Sequence, residues 1–145
     1  MKVVIQKVKK CVLYSENEKY SEINDGILIL FGVSKTDKIE SVKKLVDKII
    51  KLRIYEDENG KINKNIFDTK GEIMIVSNFT LYANLKGTNR PDFIKSANAE
   101  FAEKIYNEFC NEFNKIYPIK TGVFQTYMQI ETLLDGPNTY VYEIE

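Results

Sequence analysis

Among the 145 residues there is no histidine and no tryptophan. The first absence removes Ser-His and Cys-His nucleophile pairs, imidazole general bases and histidine-ligated metals together. Any chemistry therefore falls to hydroxyls, carboxylates, lysines, backbone groups or the substrate itself. Cysteine is nearly absent too. Cys11 and Cys110 stand far apart, with no other ligand types at metal spacing, so neither a disulfide framework nor a zinc site is expected. No run of about 18 apolar residues is present to cross a membrane, and the short apolar patch in MKVVIQKVKK cannot form the core of a signal peptide. A cytoplasmic protein with no membrane partner is expected. Neither sign of charge is in excess, since 21 Lys and Arg balance 21 Asp and Glu, which argues against a strongly basic nucleic-acid binder. The balance hides an asymmetry: residues 1–70 carry 15 basic and 11 acidic side chains, the remainder 6 and 10.

What is present reads as one globular domain, with 43% apolar and 29% charged residues. VVIQKV predicts a strand and CVLY a second short one. ILILFGV, bounded by Gly26 and a polar cluster at 34–37, predicts a central strand buried on both faces. Ile39, Val42, Leu45, Val46, Ile49 and Ile50 recur at helical spacing, with Thr36 or Asp37 as the expected cap. EIMIVS predicts another strand, and Phe101, Ile105, Phe109, Phe113 and Ile116 a helix from about 98 to 117. MQIETLL and TYVYEIE, separated by DGPN, predict a hairpin. Many strands with two helices suggest an α/β sandwich whose helices cover one sheet face.

Three stretches hold candidate chemistry. In SNFTLY, residue type alone predicts that Ser77 and Thr80 satisfy local backbone groups, because a hydroxyl without a base is a poor nucleophile. DGPN is either a simple β-turn or a rigid tip whose Gly136 and Pro137 carbonyls face outward, a direction that a cis bond would alter. In KGTNRPDF, Lys86 and Arg90 are either solvated loop charges or phosphate contacts.

Taken together, SNFTLY, GTNRPDF, KTGVFQTYMQI and DGPNT occur in the order and spacing of the D-aminoacyl-tRNA deacylases, formerly D-tyrosyl-tRNA deacylases, and VVIQKV, ILILFGV and KLRIYEDENGK resemble the same family's layout. The resemblance spans essentially the whole chain. It implies a layered β/β/α sandwich with mixed sheets and two main helices, over residues 1–145, and an enzyme that cleaves the ester between a D-amino acid, or glycine, and the 3′ adenosine of tRNA. It further implies a homodimer without cofactor or metal, with the active site at the subunit interface. Ser77, Phe79 and Thr80 match the family's Ser-Gln-Phe-Thr pocket motif. Gly136, Pro137 and Thr139 match a cis Gly-Pro tip that enters from the other subunit and holds the substrate amino group. In this reading Phe79 acts through its main-chain N–H, Thr80 positions substrate, and chirality is set by excluding an L side chain. The chain departs from the pattern where Asn78 replaces glutamine, where Leu134 and Asn138 replace the asparagine and valine on either side of the tip, and where Lys7 replaces an arginine that braces it. A tRNA deacylase of relaxed chirality and a non-catalytic tRNA-binding module on the same fold remain the alternatives.

Overall fold

The computed structural model describes residues 1–144. In chain order the elements are β1 (Lys2–Ser15), β2 (Glu18–Ile23), β3 (Gly26–Gly32), α1 (Val42–Ile50), β4 (Tyr55–Glu56), β5 (Ile62–Lys64), α2 (Ile66–Thr69), β6 (Glu72–Ser77), α3 (Ala99–Asn114), β7 (Lys120–Thr121) and β8 (Met128–Glu143), with 3-10 turns at Ile39–Ser41 and Phe79–Tyr82. Six strands form one mixed sheet in which β2 and β3 share one edge of β1, β8 takes its other edge, and β6 and β7 continue in parallel beyond β3. β4 and β5 form a separate short pair.

Alternation along the strands builds two cores. Val3, Ile5, Ile27, Ile29, Phe31, Ile73 and Ile75 face the helices, meeting Leu45, Val46 and Ile49 of α1 and Ile105, Phe109 and Phe113 of α3. Phe31 stacks on Phe109 with ring centroids 4.2 Å apart, and each such side chain fully buried contributes about 1.5–3 kcal/mol. Leu28, Met74 and Val76 point the other way, to Val8, Cys11, Leu13 and Ile23. The sheet curls around this second cluster until Ser21 Oγ donates to the Thr121 carbonyl at 2.9 Å. The expected layering, with both main helices on one side, is therefore observed.

Four expectations are corrected in detail. VVIQKV and CVLY belong to one 14-residue strand. Its inward set changes phase, from Val3 and Ile5 on the helical side to Cys11 and Leu13 on the other, because register shifts against β8 fall at Gln6/Val8 and Val8/Lys10. A bulge moves every later side chain to the opposite face. MQIETLL and the TYVYE of TYVYEIE are likewise one strand, β8, and DGPN is an outward bulge within it rather than a hairpin turn; Glu145 lies outside the described residues. Neither Thr36 nor Asp37 caps α1; Asp37 instead accepts from the Ser34 N–H at 2.7 Å and pairs with the amino terminus of Met1. Finally, α3 stops at Asn114, leaving Ile116 outside the helix and exposed.

Burial raises the thiols of Cys11 and Cys110 to about 11, from an ordinary 9.0, and also raises the hydroxyls of Tyr55, Tyr82 and Tyr106. In each case folding favours the neutral form. The contribution of the two thiols is complete below about pH 9 and is lost as pH rises through about 11, and that of the tyrosines is lost at higher pH. Thermal melting temperature is expected to stay level from about pH 7 to about pH 8.5 and then to fall steeply. A melting temperature unchanged at about pH 11 would contradict this. No helix among the described residues is long and apolar enough to cross a membrane.

Candidate functional site

β6 ends at Ser77, which pairs with Phe31 at the end of β3. The Asn78 N–H still reaches back to the Phe31 carbonyl at 2.8 Å, after which the chain turns into the 3-10 segment. Asn78 caps that turn: its Oδ1 accepts from the Thr80 N–H at 3.2 Å and from Thr80 Oγ at 2.5 Å. An asparagine is short enough to fold back on its own backbone in this way. The Thr80 hydroxyl thus donates to a neutral amide oxygen, which is no base, while its lone pairs stay available to accept. The cap engages the N–H of Thr80 rather than that of Phe79, and N–H groups in the first turn of a helix have no partner within it. Phe79 is 56% exposed. Its carbonyl accepts from Ser96 Oγ at 3.1 Å and its ring lies 4.9 Å from that of Phe93.

This turn closes one end of a cavity of about 1020 Å³. Leu30, Val33, Val76, Phe124, Met128 and Ile130 give it apolar walls, and Ser77, Asn78, Thr80, Gln125 and Thr126 a polar rim. Gln125 adopts a left-handed φ of 57°, a conformation that costs a non-glycine residue about 1–3 kcal/mol and is concentrated at functional sites. Sequence reasoning did not single out Gln125, Thr126 or Tyr127. They lie within KTGVFQTYMQI, one of the stretches that carry the family resemblance, but nothing in residue type marks them individually as part of a site.

The Gly136-Pro137 segment lies elsewhere. Between the pairs Gln6–Thr139 and Val8–Leu134, residues 135–138 bulge from β8 opposite Lys7. The Gly136-Pro137 bond is cis and Gly136 has φ 121°. Gly136, Pro137 and Thr139 are exposed. One departure from the family pattern, Asn138, ties the bulge down together with its neighbour Asp135: Asn138 Nδ2 donates to the Asp135 carbonyl at 2.9 Å, and the Asp135 carboxylate lies 3.6 Å from Lys7 Nζ and 3.7 Å from Lys9 Nζ. Lys9 also pairs with Asp25 at 3.1 Å, and this hydrogen bond raises its pKa. Lys7 is only 8% exposed, with Nζ 5.0 Å over the Tyr55 ring. These groups and Gly71 line a second cavity of about 430 Å³ behind the tip.

The two motifs are not brought together within one chain. Ser77 sits level with Val3 of β1, and the bulge level with Lys7 and Val8. Five residues and three strand steps separate them, about 17 Å along and about 14 Å across the sheet. Lys86 and Arg90 occupy an exposed loop pinned by reciprocal backbone hydrogen bonds between Asn84 and Asp92 and by Asn84 Nδ2 to Asp92 Oδ2 at 2.8 Å. Among the described residues no cluster of His, Cys, Asp and Glu has the makings of a metal site.

Residues 4–143 match the family model described as D-Tyr-tRNA(Tyr) deacylase. A D-aminoacyl-tRNA deacylase from Dictyoglomus turgidum is 44% identical over 146 residues, spanning 100% of this chain and 94% of its own length. One from Protochlamydia amoebophila is 42% identical over 144 residues, spanning 99% and 95%. Among solved structures, one described as c-Myc DNA Unwinding Element Binding Protein superposes with a TM-score of 0.94 at 40% identity, covering 100% of this chain and 99% of that one. A probable eukaryotic D-amino acid tRNA deacylase shares the fold, with a TM-score of 0.82 at 16% identity over 99% and 98% of the two chains.

Proposed function

The chain belongs to the D-Tyr-tRNA(Tyr) deacylase family, and from that premise we propose that it hydrolyses the ester between a D-amino acid, or glycine, and the 3′ adenosine of tRNA, in the cytoplasm, as a homodimer of one-domain subunits. The observation that carries the reading is the apolar cavity lined at one end by the Ser77–Thr80 turn, which brings hydroxyls and a first-turn backbone to the cavity with no basic side chain among its lining residues. Such a site suits a substrate that brings its own assistance. The ribose hydroxyl beside the ester helps activate the attacking water, while the Phe79 N–H stabilises the oxyanion that develops on the ester carbonyl. A fixed backbone donor of this kind is worth about 10²–10³ in rate. Ser77 ends the strand that carries the turn, and Thr80, held by Asn78, positions substrate through its free lone pairs.

The second half of the pocket comes from the partner's copy of the bulge. β8 pairs with β1 along one edge and with no other strand among the described residues, and Leu133, Leu134 and Val141 are exposed along it; an edge strand of that length and character is protected by association. In the dimer the Gly136 and Pro137 carbonyls hold the substrate amino group, Thr139 supports them, and an L side chain is driven into the wall. Lys86 and Arg90 meet phosphates of the acceptor end, so binding weakens as salt rises.

Purified protein given matched D- and L-tyrosyl-tRNA is expected to release D-tyrosine much faster. Hydrolysis of neither would leave a binding module, the activity named for the c-Myc element relative, and faster L cleavage would leave an editor of relaxed chirality. Thr80→Ala is expected to keep measurable activity. Complete loss, together with an acyl-threonine adduct by mass spectrometry on the unaltered protein, would make Thr80 a nucleophile instead.

A further inference from the structure

Beside the cavity mouth the surface is unusually apolar and aromatic. Phe79 is 56% exposed, Phe93 39%, Leu85 69% and Ile94 72%, although a monomeric surface seldom groups such side chains without a partner. The two phenylalanine rings stand 4.9 Å apart at 59°, so one face cannot hide the other. The ledge is also held by hydrogen bonds at its base. Asn84 and Asp92 clamp the base of the loop, the Ile94 N–H donates to Asp92 Oδ1 at 3.2 Å, Ser96 Oγ holds the Phe79 carbonyl, and the Lys35 N–H holds the Lys95 carbonyl at 3.1 Å.

The same loop carries three cations. Lys86, Arg90 and Lys95 are exposed, and none of them is among the side chains that form ion pairs within the described residues, which are Lys2, Lys7, Lys9, Lys19, Lys64 and Lys115. The one acid inside the loop, Asp92, accepts from Asn84 Nδ2 and from the Ile94 N–H. Exposed rings set among unpaired cations on a loop held at its base are what single-stranded nucleic acid recognises, since each base offers a flat face and each linkage a negative charge.

Resting on the deacylase reading above, we infer that the Phe79–Phe93 ledge stacks the unpaired nucleotides immediately 5′ of the terminal adenosine, with Lys86, Arg90 and Lys95 on their phosphates. The cavity takes the aminoacyl-adenosine, and the ledge takes the strand that leads to it. Recognition beyond the adenosine then rests on aromatic faces rather than on base edges, which makes it tolerant of the tRNA's identity. It also explains how a chain of zero net charge holds a polyanion: the cations need only be placed where the single strand runs.

The test compares two substrates, D-tyrosyl-tRNA and the D-tyrosyl ester of adenosine alone. Phe93→Ala is expected to raise KM for the tRNA about 10-fold, within the range for loss of one stacked base, with kcat changed less than about twofold. The adenosine ester should be cleaved as well as by the unaltered protein, and Phe93→Tyr should restore KM for the tRNA. Lys86→Ala with Arg90→Ala should lower the slope of log affinity against log salt by about one per charge. Equal loss on both substrates, or no loss on either, overturns the inference. So does a shift of Phe93→Ala to monomer in size-exclusion chromatography, which would make the ledge a contact between subunits. If the unaltered protein cleaves neither substrate, the deacylase reading itself fails, a result distinct from any of these.

Discussion

Mixing two inactive variants restores about a quarter of the unaltered activity if the site is shared between two-fold related subunits. The first variant is Gly136→Ala. A Cβ there would stand 2.1 Å from Asn138 Nδ2, at a φ of 121° that an L side chain rarely adopts. To relieve the clash, Asn138 must release the Asp135 carbonyl and the tip loses its shape. The second is Ala99→Trp, which places a ring in the cavity from an exposed first residue of α3 and leaves the core untouched. Each alone is expected to lose more than about 100-fold in kcat/KM, the scale of losing substrate positioning. After co-expression, about half of the dimers contain one of each, and each of these has one pocket with an open cavity and an intact tip from its partner. If instead the tip served the pocket of its own chain, every site in the mixture would remain defective and nothing would be restored. Activity of the mixture, read with D-tyrosyl-tRNA, separates the two arrangements.

The reason this experiment is needed shows what a single chain can and cannot say. The layering was legible because it follows from alternation: Ile27, Ile29 and Phe31 could face only one way and Leu28 the other, and the spacing of Ile105, Phe109 and Phe113 leaves a helix no other face to bury. The motifs were legible as motifs. Their partition was not legible in the residues themselves and came only as what the family resemblance implies. SNFTLY and DGPN read side by side suggest one pocket, and only the strand register places them at opposite corners of the sheet.

The misread hairpin has the same origin. Asp-Gly-Pro-Asn carries every local mark of a chain reversal, yet β1 offers a continuous edge of 14 residues, and pairing along all of it outweighs the turn preference of four. The bulge is what remains when a strand must pass a segment that cannot pair. Asn78, read as a one-methylene loss from the family's glutamine, acquires a positive role once Thr80 is seen within its reach. Such short-range capture depends on backbone angles that residue type alone leaves open.

Lys7 and Lys9 both contact Asp135 at nearly the same distance, 3.6 and 3.7 Å, but removing Lys7 is expected to cost far more. The Lys9 side chain is 54% exposed and that of Lys7 10%. An exposed pair of this kind contributes about 0–1 kcal/mol, whereas breaking a buried one costs about 3–5 kcal/mol because the remaining charge is stranded. Asp135 is itself 31% exposed, which pulls the expectation for Lys7 down to about 1–3 kcal/mol. Lys7→Met also leaves the Tyr55 ring without its cation. Because Asp135 supplies the carbonyl that Asn138 holds, a loosened Asp135 reaches the Gly136 and Pro137 carbonyls within the next two residues of the chain. Lys7→Met is therefore expected to lower kcat/KM for D-tyrosyl-tRNA by about 10- to 100-fold and Lys9→Met by less than about twofold. Asp135→Asn should add little to Lys7→Met, since residues sharing one interaction are not additive. Lys7→Arg, which keeps the charge and supplies a planar fork of donors, should retain activity and improve the ratio of D to L cleavage. Equal losses from Lys7→Met and Lys9→Met, or full additivity with Asp135→Asn, would show that the buried pair does not hold the tip and that the Asn138 side chain does so alone.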